Sequence, residues 1–208
     1  MLLLLIALPS FAQDTRKTGK RADPVYTYRL STPVITALNI GQGGERTNTQ
    51  HIELHFKYEL DTKNILGVKF ATWRLFQPMG ILWWDGLLDK LESQSEFYPG
   101  YVRETGLGIS YQRMVWKGLF AAVEVLPQLK TYLDEDNSRI ARGFKLYTSY
   151  HIGYHIPLFK GKRLFLEPQI HCQNWMMDTQ APSGFKALDD AWRTYFLFEP
   201  NMYLGFRF

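Results

Sequence analysis

One cysteine, Cys172, occurs in 208 residues, so no internal disulfide can close the fold; the thiol reads as a small apolar side chain. Long apolar runs are nearly absent too. Beyond residue 12 nothing approaches the ~20 consecutive apolar residues of a membrane-spanning helix, and the mean hydropathy is −0.23. That excludes a helical membrane protein but not a strand-built one, whose alternation hides from hydropathy. Charge of one sign is also in short supply: 24 Lys and Arg stand against 20 Asp and Glu. The excess is diffuse, no basic helix is present, and the densest cluster, Arg16 to Arg21, falls in a linker-like segment, so nucleic acid is not the expected partner.

Aromatic residues, at 15%, are plentiful. They dominate the last segment, where Phe196, Phe198, Pro200, Met202, Leu204, Phe206 and Phe208 share one phase. Leu197, Glu199, Asn201, Tyr203, Gly205 and Arg207 share the other. Period-2 alternation of this length is a strand with an oily side and a polar side. With its final Phe, the segment resembles the C-terminal strand of Gram-negative outer-membrane β-barrels, which the insertion machinery reads. At the other end, Met1 to Ala12 form an apolar run whose small residues Ser10 and Ala12 fit a secretory cleavage site ahead of Gln13. The expected organisation is a signal peptide over 1–12, a polar periplasmic arm over 13–30, and a barrel over 31–208.

Eight alternating segments can be placed: about Thr32–Gly41, His51–Leu60, Ile65–Phe76, Arg103–Trp116, Leu119–Leu133, Phe144–Leu158, Leu164–Trp175 and Thr194–Phe208. Their connections alternate. Asp61–Asn64, Lys117-Gly118 and Lys160–Arg163 are tight, whereas Gln42–Gln50, Gln77–Gly100, Asp134–Arg142 and Asp178–Arg193 are longer. Short periplasmic turns and long external loops are the pattern of an up-and-down membrane barrel. Pro127, Pro168 and Pro200 fall inside strands and are expected at bulges. Arg74 and Arg113 fall on the oily phase near strand ends, where long side chains can snorkel. The whole resembles the small OmpA/OmpX-type outer-membrane barrels, which implies an all-β, eight-stranded antiparallel barrel with a polar lumen.

With lipid outside, the polar phase faces inward. His51, Glu53, His55, Lys57, Glu59, Lys69, Glu104, Glu124, Lys130, Lys145, His151, His155, Glu167, His171, Glu199 and Arg207 then form the lumen network. Charges withdrawn from water must pair, and a barrel of this size is filled by its own side chains. A three-residue turn at Lys160–Arg163 would set His155 beside Glu167 and His151 beside His171. The opposite sidedness, an apolar interior around a ligand, would make a periplasmic lipocalin-like carrier. It lacks support from an opening Gly-x-Trp strand or a closing helix.

No cofactor or metal site is expected. His151 and His155 lie roughly 13 Å apart along a strand, too far to share an ion, and no third ligand completes a set around His151 and His171. Gly41-Gln-Gly43-Gly44 lacks the strand–loop–helix context of a phosphate cradle. His171-Cys-Gln-Asn174 is similar to the His-x-Ser-Asn motif of outer-membrane lipid A deacylases. Gln173 stands where the serine nucleophile would be, so His171 is only a weak catalytic candidate. Ile81 to Leu91 reads as a short amphipathic helix whose Trp83 and Trp84 suit a membrane interface or a protein partner. The functional expectation is a non-enzymatic protein of the cell outer membrane, with a structural or partner-binding role carried by its external loops. Its lipid partners would be outer-membrane lipid and lipopolysaccharide, whose acidic headgroups suit a mild positive excess. A narrow channel, an acyl hydrolase-like enzyme and a ligand carrier are the alternatives.

Overall fold

A computed structural model describes residues 27–37, 50–75, 100–189 and 195–208. The arm to residue 26, the Gly41–Gly44 segment and the 77–99 loop with Trp83 and Trp84 lie outside them. The elements are β1 (Tyr28–Pro33), α1 (Val34–Ala37), β2 (Ile52–Glu59), β3 (Asn64–Leu75), β4 (Tyr101–Trp116), β5 (Leu119–Leu133), β6 (Arg139–Tyr154), β7 (Ile156–Pro157), β8 (Leu164–Thr179), α2 (Ser183–Asp189) and β9 (Tyr195–Arg207). Consecutive strands from β1 to β6 pair antiparallel, β6 and β7 both pair β8, β8 pairs β9, and β1 pairs β9. The sheet therefore closes. β7 continues β6 past a one-residue break at His155, so the barrel has eight staves.

Alternation makes these strands. β2, Ile-Glu-Leu-His-Phe-Lys-Tyr-Glu, buries every second side chain, as a pleated strand with two different faces must. The turns supply the rest. Lys117 and Gly118 both have positive φ, 43° and 99°, the pair that a tight type I′ hairpin requires. In the 60–63 turn, Asp61 accepts hydrogen bonds from the Asn64 side chain and from the amides of Lys63 and Asn64. The Asn64 bond foremost holds its carboxyl below the usual value.

The partition of side chains is inverted relative to a soluble domain. Among the described residues thirty large apolar side chains are exposed, while nineteen buried residues are polar or charged and nine are apolar. Phe56, Phe198 and Phe206 are on the exposed phase; Glu53, His55 and Lys57 are on the buried one. Val102, Tyr132 and Phe185 form a small apolar cluster where α2 packs on the barrel.

Three expectations need correction. The first strand runs Tyr28–Pro33 rather than from Thr32 to Gly41; its phase is set by Arg29, Ser31 and Pro33, all buried, and a helical turn follows at once. The loop between β5 and β6 is only 134–138, because β6 begins at Arg139, and β8 continues past Trp175 to Thr179. The strand prolines are not bulge residues. Pro127 stands in register opposite Leu146, Pro168 opposite Met202, and Pro200 opposite Ile170. The register shifts instead lie at Val115 on β4, at Ile140 on β6, near Met176 on β8 and near Phe198 on β9, whose φ is 59°. Pro127 and Pro168 each sit at a two-residue gap in one ladder. Pairing of β4 with β5 stops between Gly106 and Ile109, and pairing of β8 with the β6–β7 stave stops between Gln169 and Leu166. A missing N–H thus removes a ladder bond without inserting a residue.

Candidate functional site

The buried phase of the staves carries ion pairs in three levels. Nearest the tight turns, Glu167 accepts from Lys57 Nζ at 2.8 Å, His155 Nδ1 at 3.0 Å, Arg29 Nη1 at 3.2 Å and Gln112 Nε2 at 3.3 Å. Beside it, Glu59 accepts from Arg29 Nε at 2.6 Å and Arg207 Nη2 at 2.8 Å. At the middle level Lys69 Nζ lies 2.9 Å from Glu53 and 2.8 Å from Glu124, while the Tyr203 hydroxyl donates to Glu53. Toward the loop end, Lys145 reaches Glu104 at 2.7 Å and Asp178 at 3.5 Å, and Lys130 reaches Asp178 at 2.6 Å. Trp73 Nε1 donates to Glu104 at 2.9 Å. Buried charges survive only when compensated in this way, and breaking one partner is far more costly than never having had the pair.

The expected network residues take the following places. Glu53, His55, Lys57, Glu124, Lys130, His151, His155, Glu167 and His171 are buried; His51, Glu199 and Arg207 are partly exposed. His51 is hydrogen-bonded to Thr36 at 2.7 Å, at the rim. His151 stands opposite His171, with ring centres 5.2 Å apart, and His155 contacts Glu167, the two juxtapositions that the 160–163 turn requires. Among the described residues no group of three His, Cys, Asp or Glu side chains converges as metal ligands would. Trp83 and Trp84 lie outside the described residues.

Arg29, Gln112, Tyr203 and Asp178 belong to this network but are not among the expected set. Arg29 is hidden in the sequence by its position in a segment read as an arm. Gln112 and Tyr203 are on the polar phase and could have been found by phase alone. Asp178 enters because β8 is longer than its alternation suggests.

Between the turn-end and middle levels lies a cavity of about 20 Å³, lined in part by His55, Ser110, Gln112, Glu124, His151 and Tyr203. It has the size and polarity suited to about one water molecule. The chain matches no known family model, no curated protein and no solved structure. Its chemistry must therefore be read from the barrel itself.

Among the described residues, an arrangement with partial catalytic geometry is found at His171, whose Nε2 is 2.6 Å from Glu199 and shares that carboxylate with Gln173. A base oriented by a carboxylate is two-thirds of a hydrolytic triad. The position of the nucleophile, however, is filled by Gln173, and Cys172 lies on the opposite phase of β8. Among the described residues no hydroxyl or thiol is hydrogen-bonded to His171.

Proposed function

We propose that this chain is an integral outer-membrane β-barrel, without enzymatic activity, that acts as a structural or partner-binding protein through its external loops. The observation that carries this reading is the inverted partition: apolar side chains around the outside, ion pairs within. A soluble monomer rarely exposes contiguous apolar surface beyond a few hundred Å², and a continuous outer belt is what acyl chains cover. The polar lumen is then the filling of the barrel. The long 77–100 connection, with Trp83 and Trp84, is the element offered to a protein partner. A lipocalin-like carrier would need the reverse arrangement, with Phe56, Phe198 and Phe206 lining a cavity, and all three are exposed.

Fractionation of expressing cells, with a gel comparing heated and unheated samples, tests the reading. The expected result is recovery in the outer-membrane fraction, only with detergent, and a folded band that migrates differently until boiled. Recovery from the periplasm without detergent would refute it.

The layered ion pairs also bear on conduction. With Glu167, Lys57 and Gln112 hydrogen-bonded across the barrel and a cavity suited to about one water, no steady ion current is expected from the purified protein in planar bilayers. Regular single-channel steps would instead favour the narrow-channel alternative.

A further inference from the structure

We propose that the tight-turn end of the barrel binds the headgroups of anionic phospholipids; the inference rests on the outer-membrane reading above. Lys63, Arg113, Lys117, Lys160, Lys162 and Arg163 are all exposed at that end. They sit in or beside the 60–63 turn, the Lys117-Gly118 turn and the 158–163 turn, which join different pairs of staves. The acids nearby are already engaged. Asp61 closes its own turn through Asn64 and two amides, and Glu59 is held inside by Arg29 and Arg207. At the opposite end Asp134, Glu135 and Asp136 stand among Arg74, Arg103, Arg139 and Arg142, so among the described residues acids and bases are mixed there.

Position along the barrel axis identifies the occupant. Aromatic side chains ring the same end just inside the cations: Tyr28 stacks on Phe56 and on Phe208 at 5.6 and 5.8 Å, and Trp116 is 63% exposed. Amphipathic rings mark the level where acyl chains give way to headgroups. Cations placed one or two residues beyond that level meet phosphates. Lys117 ties the two zones together, its Nζ lying 4.9 Å from the Trp116 ring centre. The cations are spread over three turns around the perimeter. An annulus of separate headgroups matches that spacing, whereas a compact acidic protein would want them in one patch. Lys and Arg near an anionic leaflet each strengthen binding and do so in a salt-dependent way.

The test uses the full chain, purified folded in detergent and offered equal amounts of phosphatidylglycerol and phosphatidylcholine, with retained lipid measured by native mass spectrometry. The expected result is preferential retention of phosphatidylglycerol by roughly fivefold or more at low salt, the scale of one well-placed cation. High salt should reduce it. The variant Lys63→Gln/Lys160→Gln/Lys162→Gln/Arg163→Gln should lose the preference while keeping its heat-modifiable band. Equal retention of the two lipids by a folded barrel overturns the inference and leaves the outer-membrane reading intact. Binding of polyglutamate without any lipid preference also overturns it and points to an acidic protein partner. Failure of the unmodified chain to insert into phosphatidylcholine vesicles sinks the outer-membrane reading and this inference together.

Discussion

Ile109→Arg is expected to lower folding stability in a bilayer by about 2–4 kcal/mol, the cost of a cation on the lipid face of a barrel near the midplane. Ile109 lies midway along β4, is 67% exposed, and faces Val68 on one neighbour and Val125 on the other. Val115, on the same strand but next to the tight turn, is 60% exposed, and Val115→Arg should cost only about 0–1 kcal/mol because its charge reaches the interface. The two substitutions are chemically alike; the sites differ in depth, and Val115 also stands at the register shift of β4. In a water-soluble barrel both would fall within about 0.5 kcal/mol of the parent, as exposed substitutions do. Urea titration of protein folded into vesicles, followed by the unheated gel band, measures the difference. Equal and negligible effects at both positions would mean that the oily surface does not meet lipid.

Glu167→Gln carries the second large effect. The side chain keeps its volume but loses the charge that Arg29, Lys57 and His155 share. Arg29 retains Glu59, whereas Lys57 keeps only the hydrogen bond to the Gln112 amide oxygen, at 2.7 Å, among the described residues. An uncompensated buried ammonium should destabilise the barrel by about 3–5 kcal/mol. Adding Lys57→Met removes the orphaned charge, and the double variant should recover most of the loss, since apolar replacement of a buried pair is often close to neutral. The same titration reads both. A single variant as stable as the parent would show that Lys57 stays solvated and that the turn-end level is not a dry ion-pair cluster.

Much of this architecture was legible because two chemistries alternate residue by residue. Leu119 to Leu133 is a strand to the residue, since neither end offers a competing signal. The C-terminal strand and His51–Leu60 are recovered to within a residue at each end. Where the pattern is short, it fails. Tyr28–Pro33 has only three turns of alternation before α1 interrupts it, and its outward Tyr28 and Leu30 flank an arginine that looks like part of a polar arm. The prolines misled for a different reason. A sequence reading assumes that a missing N–H must be excused by an extra residue, but a two-residue gap in one ladder excuses it equally well. Phase revealed which side chains share the interior; which carboxylate each cation chooses depends on stagger between staves, as with Lys57 and Glu167, 110 residues apart, and one sequence does not disclose that.

The junction of the first and last strands has its own consequence. It runs from Tyr28 opposite Phe208 to Pro33 opposite Tyr203, and it joins the most distant parts of the described chain. Loop-closure entropy is therefore greatest for this pairing, while the hairpins can zip locally. Glu59, gripping one arginine from each side of that junction, acts as a clasp: a short interface in the cylinder is fastened by a two-armed anion instead of by length.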